Sequence, residues 1–415
     1  MADSLKLTHQ SKKIDGTVQL TGSKSESNRA LIINALSDGA VKIENLSEAA
    51  DTITLQTILS QIKSKTTPRN TIDVGPAGTA MRFLTSYLNL IQETFILTGS
   101  PRMQERPIGI LVDALKEIGA DIHYQKRSGF PPIIIEGGMF QNKKQISIKG
   151  NVSSQYISSL LLIAANLKKG LTIDIQGELT SRPYVTMTLE MLKECGIDYE
   201  FRENKIEIEN QQYKPSTLFI EPDWSAASYW YLIVALSEQG HIILPGLKKE
   251  SLQGDMAIVE IMKHFSVDSS FQDDGLHLRK SNNISNKTTF DFKECPDLAQ
   301  TIIVLAAAQK KDLTFTGLET LKIKETDRIN ALQNEIAKFG VELIADGENY
   351  HLKTSDFYYP EHITFQTYED HRMAMAFAPL ALIFDQIKIE EPQVVEKSYP
   401  TFWEHLIAQG FEIEE

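Results

Sequence analysis

The sequence predicts an α/β fold of two similar halves, each built from three helix-and-strand units whose sheets wrap around buried helices. Three observations lead there. An apolar helical stretch followed at once by a short strand-like stretch occurs six times along the 415 residues. Those helical stretches are apolar on nearly every face, which calls for burial on all sides and not for an amphipathic surface seat. A second helix pattern then follows, usually closing on a glycine before another strand, as in TDRINALQNEIAKFG ahead of VELIA.

In chain order, the first apolar helix is NRALIINALSDG, leading into the strand AVKIENL. MRFLTSYLNLIQ leads into ETFILTG, QYISSLLLIAANLKKG into LTIDIQGEL, and AASYWYLIVALSEQG into HIILPGL. LAQTIIVLAAAQKKD precedes LTFTGLETL, and MAMAFAPLALIFD precedes QIKIEEP. The copies begin near Asn28, Met81, Gln155, Ala226, Leu298 and Met373. Each unit is too long for a solenoid repeat of roughly 20–50 residues. A chain of this length needs two to three domains, and three copies on either side put the division near Phe219 to Pro222, FIEP.

Composition narrows the function. A net charge of −13 argues against a nucleic-acid partner, which would need a broad basic face. Only Cys195 and Cys295 occur, with no C-x-x-C, and the nine histidines form no metal-type pairing. No metal is therefore expected. The N-terminal MADSLKLTHQ lacks the apolar core of a signal peptide. The longest apolar run, Met373 to Phe384, falls short of a membrane span. A cytoplasmic protein without a membrane partner is expected.

The stretch Leu20 to Ile33, LTGSKSESNRALII, looks built for an anion but is not a P-loop. Ser23 stands before Lys24 where the loop needs glycine, and Val18 occupies the first glycine position. What remains is a polar turn opening a helix, whose unpaired N–H groups suit an anion. An ordinary Ser/Asn cap explains this stretch alone equally well.

The other helix starts add to it. The residues ahead of the buried helices read GSKSESN, PAGTA, NVSS, PDWS, CPD and YEDHR, and second helices are introduced by QERP, TSRP, KETD and EKSYP. Gly, Ser and Asp there are good caps, and Pro107 and Pro183 suit a first helical turn. Capping does not call for Lys24, Arg29, Arg82, Arg106, Lys324, Arg328, Arg372 and Lys397 close to such starts. Cations there oppose the helix dipole, which makes sense if an anion sits among them.

With these motifs in hand, the chain resembles the 5-enolpyruvylshikimate-3-phosphate synthase family along its whole length. The matching stretches are GSKSESNRAL, AGTAMR, LTGSPRMQERPIG, VSSQ, SRPY, PDWSAASY, PDLAQT, KETDR, EDHRMAM and EKSYPTF. The resemblance implies two similar domains of three βαβαββ units each, with sheets around buried helices in an inside-out α/β barrel. The active site would lie in an interdomain cleft that closes on substrate. Residues 22–221 would form one lobe, and 1–21 with 222–415 the other.

The implied reaction transfers the enolpyruvyl group of phosphoenolpyruvate to the 5-hydroxyl of shikimate 3-phosphate, releasing phosphate. It needs no cofactor, and the family is usually monomeric. Motif by motif, Lys24, Ser25, Arg29, Ser153, Ser154, Gln155, Ser181, Asp297 and Lys324 would hold shikimate 3-phosphate, with Tyr184 packed nearby. Lys24, Gly78, Arg106, Gln155, Arg328, Arg372 and Lys397 would meet phosphoenolpyruvate. Asp297 is the expected base and Glu325 the expected acid, with Lys24 a participant in proton transfer. Arg82 and Arg102 would support the site or form ordinary ion pairs, and His371 would orient its neighbours. Capping suffices to explain Asp51 and Asp223.

Three positions depart from the family pattern: Pro76 and Phe83 around AGTAMR, and Thr320 where asparagine often contacts shikimate 3-phosphate. Gly78 is the residue of glyphosate-sensitive members, so competitive inhibition by glyphosate is expected. Two rivals stand beside this reading. The related transferase acting on UDP-N-acetylglucosamine typically uses a loop cysteine as acid, and neither cysteine here lies in such a loop. A non-catalytic anion-binding protein would not need Lys24, Asp297, Glu325 and Lys397 together.

Overall fold

Parallel strand pairs need a crossover, and in four pairs among the described residues the crossover is an apolar helix. The computed structural model of the chain describes residues 3–65, 70–283 and 285–415. The chain separates into two compact units, Gly22–Ile220 and Met1–Thr21 joined with Glu221–Glu415.

In the unit Gly22–Ile220, Thr71–Asp73 runs parallel to Thr94–Thr98, with helix Gly78–Tyr87 between them in sequence. Ile133–Glu136 then pairs antiparallel with Thr94–Thr98, and Asp121–Tyr124 closes that sheet. Gln145–Lys149, helix Ser154–Ala164 and Leu171–Gln176 repeat the pattern, extended by Lys205–Ile208 and Glu200–Arg202. Helix Lys24–Leu36 leads into Val41–Glu44, which lies parallel to Ser216–Phe219.

The other unit uses the same plan. Thr289–Asp291, helix Ala299–Ala308 and Thr314–Thr316 make one parallel crossover. Ile363–Phe365, helix His371–Phe377 and Ile387–Glu390 make another. Helix Trp224–Leu236 enters Gln239–Leu244, whose parallel partner is Lys13–Thr17. Ser4–Thr8 also joins this unit, antiparallel to Ile387–Glu390. The first 21 residues thus supply strands that the C-terminal half lacks.

The all-round apolar pattern has the expected consequence. Every residue of Ala299–Ala308 is buried, and so is every residue of His371–Phe377. Small hydroxyls let such helices approach: Ser86 and Ser159, on Gly78–Tyr87 and Ser154–Ala164, sit 2.6 Å apart. One element differs from the sequence reading. Pro107 lies before its helix, which begins at Gly109. The backbone N–H groups of Ile108 and Gly109 both donate to Gly129 O, at 2.9 and 3.1 Å, and this turn fixes the start instead. Pro183 does stand within the first turn of Arg182–Glu194.

The crossover plan gathers function at one kind of place. Each of the six buried helices follows a strand in chain order, so it begins beyond that strand's carboxyl end. Open α/β sheets bind ligands at such ends, where helix N–H groups are unspent.

Candidate active site

In the unit Gly22–Ile220 most of the expected residues lie at or near the starts of three buried helices. Ser23 caps Lys24–Leu36, its side chain accepting from Glu26 N, so Lys24 and Ser25 occupy the first turn. Lys24 Nζ lies 3.5 Å from Asp51 Oδ2, an ion pair that capping alone would not explain. Arg29 is buried one turn further on. Its Nε donates to Thr188 Oγ1 at 2.7 Å, and its Nη1 to Ser25 O at 2.8 Å. Its Nη2 donates to Ser158 Oγ and Tyr184 O, both at 3.2 Å.

These hydrogen-bond partners of Arg29 are uncharged, and burial pulls its pKa down to about 10. A buried guanidinium of this kind gains from an arriving anion. Phe83, a departure from the family pattern, has a use here. Its ring lies 5.5 Å from Cζ of Arg29, a cation–π contact.

Gly78 opens its helix under the guanidinium of Arg106. A Cβ built at Gly78 would stand 2.7 Å from Arg106 Nη1. Arg82 braces the pair: Nη1 donates to Gly78 O at 3.3 Å and Nη2 to Pro107 O at 3.1 Å. Tyr156 OH donates to the same Pro107 carbonyl at 2.6 Å. Arg102 makes an exposed pair with Glu105 at 3.1 Å. Ser153 caps the helix carrying Ser154 and Gln155, and Gln155 Nε2 donates to Thr79 Oγ1 at 3.1 Å. Ser181 adopts a left-handed conformation, φ 53°, just before Arg182–Glu194. Strained backbone of this kind is held by surrounding structure and clusters at functional sites.

In the other unit, six expected residues fall into one ion-pair network. Arg328, the first residue of helix Arg328–Ala337, is its centre. Its Nη1 lies 3.2 Å from Asp297 Oδ1, its Nη2 3.0 Å from Glu325 Oε2, and its Nε 2.7 Å from Asp370 Oδ2. Arg372 Nη2 sits 2.9 Å from Asp297 Oδ2, and Lys324 Nζ 3.6 Å from Asp297 Oδ1. Lys397 Nζ lies 3.1 Å from Glu325 Oε1.

Burial opposes the charge of Arg328, but Asp370, Glu325 and Asp297 outweigh it and push its pKa up. For Lys324 the balance goes the other way. Burial depresses it, and Asp297 offsets that only in part. Four cations face three carboxylates here, so the cluster holds together without ligand and can still accept anions. Asp297 and Glu325 share Arg328, but Arg372 pairs with the first and Lys397 with the second, and such differences in environment let two carboxylates take different duties.

Sequence reasoning missed several participants. Asp370 was visible only inside EDHR, yet it caps His371–Phe377, accepts from Arg372 N at 2.9 Å, and grips Arg328. Its neighbour His371 has Nδ1 3.6 Å from Asp370 Oδ1. Asp255, in SLQGD, is buried, and Ser225 Oγ donates to its Oδ2. Ser225 Oγ also lies 3.4 Å from Arg372 Nη2. Thr79 stands inside AGTAMR without being singled out, and Ser158 and Thr188 lie outside the matching motifs. Asp223 is a cap, accepting from Ala226 N at 2.9 Å. Thr320 Oγ1 is buried with no hydrogen-bond partner among the described residues.

Both cysteines are buried, and burial raises the pKa of each, that of Cys195 to about 11. Neither suits proton donation to substrate. Among the described residues, no group of three or more His, Cys, Asp and Glu is placed to hold a metal ion. No helix among them is long and apolar enough to cross a membrane.

Comparison with known proteins shows the family and the fold. The family model described as EPSP synthase (3-phosphoshikimate 1-carboxyvinyltransferase) matches residues 8–406. A 3-phosphoshikimate 1-carboxyvinyltransferase from Bacteroides fragilis is 46% identical over 405 residues, covering 97% of each chain. One from a Sulfurovum species is 37% identical, covering 95% of this chain and 96% of its own. In fold, the chain is similar to an EPSP synthase from Acinetobacter baumannii, with TM-score 0.78 at 19% identity over 99% of this chain and all of that one. An enolpyruvyl transferase from Streptomyces tendae aligns with TM-score 0.75 at 15% identity, covering 100% of this chain and 99% of that one. The chain belongs to the EPSP synthase family of 3-phosphoshikimate 1-carboxyvinyltransferases, transferases that move the enolpyruvyl group of phosphoenolpyruvate onto shikimate 3-phosphate.

Proposed function

We propose that this chain carries out the family reaction with its two residue sets serving the same pair of substrates. Phosphoenolpyruvate and shikimate 3-phosphate each bring a phosphate and a carboxylate, and arginine forks and lysines match those groups. Lys24, Ser25, Arg29, Ser153, Ser154, Gln155, Ser181 and Lys324 bind shikimate 3-phosphate. Gly78, Arg106, Gln155, Arg328, Arg372 and Lys397 bind phosphoenolpyruvate, with Lys24 contributing to both.

Asp297 takes the proton of the 5-hydroxyl as that oxygen bonds to C2 of phosphoenolpyruvate. Glu325 gives a proton to the methylene carbon, C3, making it a methyl group. The product of these steps is a tetrahedral intermediate. Loss of phosphate from C2 and return of a C3 proton to the Glu325 carboxylate then restore the double bond in the product. The surrounding cations stabilise the charge that develops on the phosphate and carboxylate oxygens.

One observation carries this reading: Asp297 and Glu325 meet on a single guanidinium, that of Arg328, while Arg372 and Lys397 hold their second oxygens and Lys324 lies beside the Asp297 oxygen that Arg328 holds. The cleanest test is phosphate release from phosphoenolpyruvate, assayed with shikimate 3-phosphate and separately with UDP-N-acetylglucosamine. Release with the first alone is expected. Release with the second would favour the rival transferase, and release with neither would leave only an anion-binding protein.

A further inference from the structure

Beyond the network itself, one carboxylate stands apart in helix Arg328–Ala337. Glu335 lies two turns past Arg328, its side chain fully buried. A buried carboxylate costs stability unless donors surround it, and three do. Tyr368 OH donates to Oε1 at 2.8 Å; Gln366 N donates to Oε2 at 3.0 Å, and Lys338 Nζ to the same oxygen at 2.6 Å. Lys338 also donates to Thr364 O at 2.8 Å. Two of these donors belong to one short segment, the exit from strand Ile363–Phe365.

That segment is strained and leads into the network. Tyr368 and Glu369 both have positive φ, 55° and 56°, a pair of left-handed residues without glycine. Backbone of this kind persists only where the surroundings over-determine it. The next residue is Asp370, which holds Arg328 and caps the helix of Arg372. Thr367 Oγ1, within the same segment, donates to Glu391 Oε2 at 2.9 Å. Glu391 is itself left-handed and precedes the turn Pro392–Lys397, which ends on Lys397.

We propose that Glu335 is a positioning residue: it holds Gln366–Tyr368 in its strained path, so that Asp370 meets Arg328 and Arg372 is aimed at phosphoenolpyruvate. The inference rests on Arg328 and Arg372 binding that substrate. Glu335 touches none of the reacting groups. Its effect travels through Tyr368 and Asp370, and through Thr367 toward the turn that bears Lys397. Misplacement by about 1 Å at a distance from the chemistry can cost up to about a hundredfold.

The test compares Glu335→Ala, Glu335→Gln, Tyr368→Phe and Arg372→Ala by steady-state kinetics in both substrates and by thermal melting. Glu335→Ala is expected to raise KM for phosphoenolpyruvate about tenfold or more, with KM for shikimate 3-phosphate changed less than about threefold. Glu335→Gln keeps the shape and one acceptor, so it should recover part of the loss. Tyr368→Phe removes one bond and leaves the carboxylate in place, so it should show a smaller shift in the same direction, even if Glu335→Ala fails to fold. A merely structural Glu335 would lower the melting temperature and the active fraction, with both KM values kept. If Arg372→Ala raises KM for phosphoenolpyruvate while folded Glu335→Gln and Tyr368→Phe stay within about twofold of the parent, the role of Glu335 is lost. If Arg372→Ala leaves that KM unchanged, the substrate assignment fails and takes this inference with it.

Discussion

Arg372 grips Asp297 at 2.9 Å, Nη2 to Oδ2, while Arg328 holds the other oxygen of the same carboxylate. The base proposed above is fixed in direction by these partners, and under that proposal a substrate anion drawing the arginines toward itself frees lone pairs for proton transfer.

Replacing Asp297 by asparagine follows directly. The isosteric amide keeps the volume but cannot take the 5-hydroxyl proton, and general-base loss typically costs about 10²–10⁴-fold. Turnover measured by phosphate release should fall by about that factor, with the circular dichroism spectrum unchanged. A variant turning over within about tenfold of the parent would remove Asp297 from the proton transfer.

Gly78 and Arg106 make a second prediction. A methyl group at position 78 would sit 2.7 Å from Arg106 Nη1, inside van der Waals contact. The obstacle is the far end of a flexible side chain, so the guanidinium moves and the fold survives. Gly78→Ala should therefore raise KM for phosphoenolpyruvate about tenfold with kcat little changed, as expected when ground-state and transition-state binding are lost equally. Glyphosate, expected to compete with phosphoenolpyruvate, should lose more affinity than the substrate does. Inhibition assays on parent and variant, with phosphoenolpyruvate varied, check both statements.

Lys324 gives a pH dependence. Burial lowers its pKa, so it loses its charge at a lower pH than an ordinary lysine. KM for shikimate 3-phosphate should rise along the alkaline limb, and Lys324→Arg, which stays charged, should move that limb upward. The sign for stability is opposite. The unfolded chain holds this proton more tightly than the folded one, so deprotonation favours the fold as pH rises. A melting temperature falling along the same limb must come from other groups. An unchanged limb in Lys324→Arg would clear Lys324 of the effect.

How far these features were legible in the sequence depends on their range. The buried helices could be read because apolarity on every face is a local property, visible in LAQTIIVLAAA without knowing its neighbours. The cations near helix starts could be read because they break a local electrostatic preference. What could not be read is pairing across the chain. Lys13–Thr17 lies parallel to Gln239–Leu244, and nothing in either segment announces the other. The start of the helix after Pro107 was displaced by Gly129, a turn residue some twenty positions on. Asp370 and Asp255 look like cap residues in their own segments. Only the fold brings one to Arg328 and the other to Ser225.

Asp255 carries the last prediction. It is buried, its Oδ2 accepts from Ser225, and its Oδ1 has no hydrogen-bond partner among the described residues. Burial first, and then the charge of Asp297, push its pKa from 3.8 up to about 7. Below the ordinary aspartate range both folded and unfolded chains carry this proton, and the group's contribution is fully present. As pH rises through the window from 3.8 to about 7, the unfolded chain ionises while the folded one keeps its proton, so stability falls. A tenfold change in proton affinity is worth about 1.4 kcal/mol, which puts the loss on the order of a few kcal/mol. Asparagine at this position cannot ionise and keeps an acceptor for Ser225. The melting temperature of Asp255→Asn, relative to the parent, should therefore climb by several degrees across that window and level off above it. Melting curves collected for both proteins over this pH range decide the matter, and two parallel pH profiles would mean that Asp255 stays ionised inside the fold.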